Sequence, residues 1–251
     1  MRSYLLLGLI CLMVTRCTVD VVQPATSTPS PLPTSTVALV WTTFTNGNDV
    51  QDLAFDSQGN VWAATSGGLV KWAPDGTYTK VTAGGPAGGG SLPDNDVRSV
   101  AVAPDGVVWL GTADSGLVRF DGTTWRTYTA ESASSAGGGL PDNRVWDVAV
   151  GPGGVVWVST YEGGITRFET RCAGSVDCAW TTFTTADGLP SNDVYHISVA
   201  SDGSVWVATG GWGLAHFDGA QWAEHAVSED FLTIGPHAMA AVSGGAVWLG
   251  T

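Results

Sequence analysis

The stretch LPDNDVRSVAVAPDGVVWLGTADSGLVRFDGTTW, residues 92–125, decides the fold. It holds an alternating run from Val97 to Val102 that ends at Pro104, Asp105 and Gly106. Apolar residues at every second position, stopping at Asp-Gly, mark a strand entering a tight hairpin. Val108-Trp109 begins a second strand, Gly116-Leu117 a third, and a fourth follows Asp121-Gly122. Strands A to D of this unit are expected at about 97–103, 107–112, 116–120 and 124–129.

The same signals recur along the chain. Val-Trp occurs at Trp62, Trp109, Trp157, Trp206 and Trp248, with spacings of 47, 48, 49 and 42 residues. A small residue and a threonine follow each tryptophan. Gly68, Gly116, Gly164 and Gly213 open strand C, and Trp72, Phe120, Phe168 and Phe217 follow. A four-stranded antiparallel unit repeated at this period is a β-propeller blade. A blade cannot bury both faces alone, and a flat ring on strand B fills the gap to its neighbour. Trp62, Trp109, Trp157, Trp206 and Trp248 are therefore read as structural wedges. This accounts for much of an unusual composition, 12 Trp and 34 Gly in 251 residues. Helical repeats are excluded by the turns and by the lack of 3.6-residue periodicity.

The fold class is all-β, a β-propeller of four-stranded antiparallel blades. Four full blades plus partial ones give an incomplete ring. Trp41-Thr-Thr-Phe-Thr45 matches Trp180-Thr-Thr-Phe-Thr184, a strand D, so residues 39–251 start on an orphan outer strand. Gly250 and Thr251 end a strand B, and the propeller reads as truncated mid-blade at the C-terminus.

Residues 92–125 and 188–222 carry the pattern GLPxNxV, alternating strand, DGxxWxGT, GL and FDG. This pattern resembles the two-component regulator propeller repeat. The resemblance recurs across residues 41–251. It implies an extracytoplasmic sensor propeller, often of seven blades, frequently ahead of a membrane helix and an output domain. Some members of that family sense glycans.

Ten Lys+Arg against 23 Asp+Glu give a net charge of −13. That field repels phosphate backbones, so no nucleic acid partner is expected. Residues 1–16 read as a signal peptide, with Arg2 ahead of the apolar run Tyr4 to Val14. Residues 17–38 are a Pro/Ser/Thr-rich tether. Apolar segment, Cys17 and tether together resemble a bacterial lipoprotein, departing at Arg16, where that family has a small residue. The resemblance implies a lipidated Cys17, membrane anchoring, and a place in the periplasm or at the cell surface. Cys172 and Cys178, in an exported chain, are expected to form a local disulfide. Their CX5C spacing, with no histidine nearby in sequence, argues against a metal site.

No catalytic motif is present, and the sequence implies no cofactor. Asn48, Asn95, Asn143 and Asn192 each stand two residues before the valine of strand A. They are expected to cap the turn by an Asx-type bond. Asp94, Asn95 and Asp96 offer three neighbouring oxygen-bearing side chains, a weak signal for calcium. The positions that vary between matched blades are more informative. One residue into strand A stand Gln51, Arg98, Trp146 and Tyr195, and the B–C loops add Asp114, Tyr161, Glu162 and Trp212. The scaffold needs none of these residues there. Aromatics stack on apolar sugar faces, while Arg, Gln, Asp and Glu bond hydroxyls or charges. They are expected to form an oligosaccharide- or peptide-binding patch at the channel mouth. Three readings remain open at this stage: an exported ligand-binding or sensor propeller, a protein-interaction scaffold using loops 82–91 and 131–139, and a propeller polysaccharide lyase or hydrolase.

Overall fold

The structure, a computed structural model, describes residues 49–85, 92–131, 139–169, 180–210, 213–225, 238–242 and 246–250. Residues 1–16 and 17–38, Cys17, the strand expected at Trp41, Asn48, Cys172, Cys178 and Trp212 lie outside the described residues.

Four antiparallel four-stranded sheets follow one another in chain order, and neighbouring strands are consecutive in each. The first holds β1 (Val50–Phe55), β2 (Val61–Thr65), β3 (Gly68–Trp72) and β4 (Tyr78–Val81). The second holds β5 (Val97–Val102), β6 (Val108–Thr112), β7 (Leu117–Phe120) and β8 (Trp125–Tyr128). The third holds β9 (Val145–Val150), β10 (Val155–Thr160), β11 (Gly164–Glu169) and β12 (Trp180–Phe183). The fourth holds β13 (Val194–Val199), β14 (Val205–Thr209), β15 (Gly213–Phe217) and β16 (Trp222–His225). A last pair, β17 (Ala238–Val242) and β18 (Ala246–Gly250), repeats strands A and B. Successive sheets meet through their A strands, β1 on β5, β5 on β9, β9 on β13 and β13 on β17.

Local chemistry sets the strand ends. Asp56, Asp105 and Asp202 accept the backbone N–H two residues on, closing A–B hairpins. Asp75, Asp121 and Asp218 do the same between strands C and D. Such Asx turns favour Asp there over an apolar residue. Strand C must begin on glycine for a different reason. Gly116 and Gly164 have φ of 84° and 75°, and a Cβ there would lie 2.2 and 2.1 Å from the carbonyl oxygens of Tyr128 and Phe183. The threonine ending strand B bonds within its own blade rather than between blades. Thr65, Thr112 and Thr209 donate to the carbonyls of Gly68, Gly116 and Gly213.

The asparagines differ from the Asx-turn expectation. The carboxamide oxygens of Asn95, Asn143 and Asn192 accept from the N–H groups of Ala83, Ala130 and Thr185, and so clamp the two ends of each D–A loop together. The local turn bond falls one residue earlier, to Asp94, Asp142 and Ser191. These are side-chain roles in architecture.

The core is divided into three clusters, each between consecutive sheets. The wedge tryptophans share one register, with Trp62, Trp109, Trp157, Trp206 and Trp248 opposite Ala54, Ala101, Ala149, Ser198 and Ala240. A small residue across the ladder leaves room for the ring. Trp62 meets Phe120 of the next blade at 6.4 Å, Trp109 meets Phe168 at 5.8 Å, and Trp157 meets Phe217 at 5.5 Å, all edge-on. Edge-on aromatic pairs add about 0.5–1.5 kcal/mol beyond their buried area. Trp248 keeps the register but not the burial. It is 70% exposed, against 1% for Trp109, because no described strand packs across its face. Trp109→Ala should therefore cost about 3–5 kcal/mol of stability in chemical denaturation, and Trp248→Ala less than about 1 kcal/mol.

Candidate functional site

Strand A of each of the four full blades is interrupted by a β-bulge one residue after it begins. Val50 pairs with Thr65 but Asp52 with Ala64, which leaves Gln51 as the extra residue. The same skip leaves Arg98, Trp146 and Tyr195 unpaired in β5, β9 and β13. A bulge releases its residue from the ladder and re-aims the side chain. Strand A begins opposite the end of strand B, so the bulges lie at the same end as the D–A and B–C connections.

Three bulge side chains of adjacent blades meet. The Arg98 guanidinium stacks 4.3 Å above the Trp146 ring, and the Tyr195 ring meets Trp146 edge-on at 5.2 Å. Tyr195 is 38% exposed. No carboxylate pairs with Arg98 among the described residues, whereas Arg119, Arg144 and Arg167 each have one. Trp146 Nε1 is buried without a hydrogen-bond partner. Gln51 is exposed. Tyr161 belongs to a second cluster, with the guanidinium of Arg144 lying 3.8 Å above its ring. Two guanidinium nitrogens of Arg144 also grip Asp142, each at 2.9 Å. Those bonds hold the Asp142 carboxyl below its usual range. Asp114 and Glu162 are exposed, and their backbone N–H groups bond to Asp94 and Asp193. Glu162 has φ of 53°, the only described non-glycine residue in the left-handed region.

Directly below the bulges runs a polar ladder that sequence reading passed over. Asp52 accepts from Val100 N–H of the second blade, Ser99 from Val148 N–H of the third, and Asp147 from Ile197 N–H of the fourth. Ser198 continues the series by accepting from Ala241 N–H. Ser99 Oγ also lies 3.0 Å from Asp52 Oδ2 and 2.7 Å from Asp147 Oδ1. Burial first, and then the Asp52 carboxylate, push the Asp147 carboxyl up to about 7, against the bonds from Ser99, Ile197 and Val148. Burial also pushes Asp52 up, against bonds from Val100, Leu53 and Ser99. Every carboxylate oxygen in the ladder already accepts a backbone N–H.

Residues 46–67, 91–114 and 188–211 match the two component regulator propeller family. Three of the chain's segments are two-component regulator propeller repeats. No curated protein matches the sequence. Among solved structures, it is similar to the extracellular domain of a hybrid two component system of B. thetaiotaomicron, with TM-score 0.63 and 21% identity. That match covers 80% of this chain and 27% of the other. The extracellular domain of a one component system of the same organism gives 0.63 at 20% identity, over 83% of this chain and 29% of that one. Virginiamycin B lyase of Staphylococcus aureus gives 0.59 at 18% identity, over 80% and 62%. The propeller thus spans less than a third of the first two relatives.

The repeat explains which residues the sequence could single out. Arg98, Trp146 and Tyr195 vary where the propeller scaffold repeats, and they come together. Arg144 was missed because it precedes the strand, and Asp52, Ser99, Asp147 and His196 because strict alternation ignores a bulge. Their signal was a polar residue at the third position of every full-blade strand A. Gly210 abuts the row, and a Cβ there would lie 2.4 Å from the Tyr195 ring. Gly210→Ala should displace Tyr195 and remove the near-ultraviolet circular dichroism of the Trp146–Tyr195 pair while leaving the far-ultraviolet spectrum unchanged.

Proposed function

We propose that this chain is an extracytoplasmic ligand-binding propeller that recognises an oligosaccharide at the channel mouth. The observation that carries the reading is the row of bulge residues. Arg98, Trp146 and Tyr195 occupy the one position of strand A that the ladder does not use, and they adjoin across three blades. Tyr195 offers an exposed aromatic surface for an apolar sugar face. The Arg98 guanidinium, flat and without a carboxylate partner among the described residues, suits hydroxyl, carboxylate or sulfate oxygens. Asp114, Tyr161, Glu162 and Gln51 would enlarge this patch at the same end of the blades, and Trp212 is proposed as a further member. The extracellular domains among the similar structures favour a place outside the cytoplasm. In this reading residues 1–16 direct export, residues 17–38 tether the propeller, and a lipid on Cys17 holds it at the membrane.

The test is calorimetric titration of the full chain with a panel of neutral and acidic oligosaccharides. A saccharide should bind, and Arg98→Ala or Trp146→Ala should weaken it at least about tenfold, the scale of a buried hot-spot residue. Wild-type binding that survives in the Arg98→Ala/Trp146→Ala/Tyr195→Ala triple variant would overturn the site. Failure of the whole panel would overturn the saccharide reading.

A further inference from the structure

We propose that Asp52, Ser99 and Asp147 hold one shared proton between them, and that this proton makes the junction of the first three blades a pH-responsive contact. The inference is independent of the ligand reading and starts from a count of hydrogens. A serine hydroxyl has one proton to donate and two lone pairs. One lone pair of Ser99 Oγ takes the Val148 N–H at 3.1 Å. The hydroxyl proton can go to only one carboxylate, yet carboxylate oxygens stand at 2.7 and 3.0 Å. With both acids ionised, one of these contacts would set lone pair against lone pair. A proton on one carboxyl turns both contacts into hydrogen bonds, one donated by the acid to Ser99 and one donated by Ser99 to the other acid. The shorter contact, that of Asp147 Oδ1, suits a carboxylic O–H, a stronger donor than an alcohol, and places the proton on Asp147, with Ser99 donating in turn to the ionised Asp52. Loss of that proton leaves two negative charges sharing one hydroxyl proton, beyond the backbone N–H groups that already serve them, in a site where water is scarce. Asp147 is only 16% exposed and Ser99 2%.

The surroundings offer little to offset that charge. On β13, His196 Nδ1 lies 4.0 Å from Asp147 Oδ2 and would attract an ionised Asp147 when protonated. On β5, Arg98 is stacked on Trp146 and forms no ion pair with either acid. Strands β2, β6 and β10, which pack against this junction, carry no titratable residue. The same three side chains also carry bonds between blades: Asp52 Oδ2 accepts from Val100, Ser99 Oγ from Val148 and Asp147 Oδ2 from Ile197. Ionisation therefore strains the seam that holds β1, β5 and β9 side by side.

The sign follows from proton linkage. Asp147 is raised above its unfolded value, so the folded chain binds the extra proton and stability declines as pH rises through the folded value near 7. Asp52 is raised and acts in the same direction. The carboxyls held low by hydrogen bonds, such as Asp142 and Asp218, act in the opposite direction and only toward acid pH. For the full chain, the unfolding constant should rise up to about tenfold per pH unit between about pH 5 and pH 7 and level off above that. Asp147→Asn replaces the shared proton with a permanent amide donor to Ser99 and should flatten this slope, while His196→Gln should retain it. Infrared spectra of chain labelled with 13C-aspartate give a direct reading. A protonated-carboxyl stretch should be present at about pH 6 and vanish by about pH 8. Absence of that band in the wild type at about pH 6 would overturn the proposal, whether or not the variant folds. So would an unchanged slope in a folded Asp147→Asn chain.

Discussion

A four-stranded sheet with two apolar faces is not stable alone, and everything in this molecule follows from how the second face is covered. The answer is one tryptophan per blade, placed on strand B opposite a small residue, with its edge against an aromatic of the next sheet. Each ring buries on the order of 200 Å², worth about 5 kcal/mol as an upper estimate. The hydrophobic core is accordingly a series of seams between sheets rather than one central mass. The exposure of Trp248 is the complement of the same rule, since the ring is buried only when another sheet lies across it.

Seams of this kind fix the spacing of the sheets but not the angle between them. That second constraint falls to the polar ladder along the inner strands, where a side chain of one blade accepts a backbone N–H of the next. Burying Asp52 and Asp147 carries a desolvation penalty that a pair of apolar residues would avoid. What the acids supply is direction, because a carboxylate accepts along defined lines while an apolar contact slides. The same polarity makes the proposed junction responsive to protons, so one feature ties architecture to that response.

The bulge connects this scaffold to its proposed recognition surface. It shifts the ladder by one residue, so that the polar side chain below it reaches the neighbouring blade. The extra residue is meanwhile freed from any pairing partner. Its identity is then unconstrained by the fold, which is why Gln51, Arg98, Trp146 and Tyr195 differ so much at equivalent positions. Structural economy at one residue and chemical freedom at its neighbour have a common cause.

The repeat, the strand order and the wedges were readable from sequence because local rules produce them: alternation, Asp-Gly turns, and a Trp recurring every 47–49 residues. Variation against that repeat also marked Arg98, Trp146 and Tyr195. Sequence could not show that they adjoin, nor that Tyr161 stacks beneath Arg144, because both depend on where separate loops converge. Nor could it show the partners of Asp52, Ser99 and Asp147, which lie 47 or more residues apart and meet only when blades pack. Period-two reading assigns side chains to faces one strand at a time, and a bulge changes that assignment without any local signal. The sequence alone determined the blade, and packing of blade on blade decided which of its polar residues would touch.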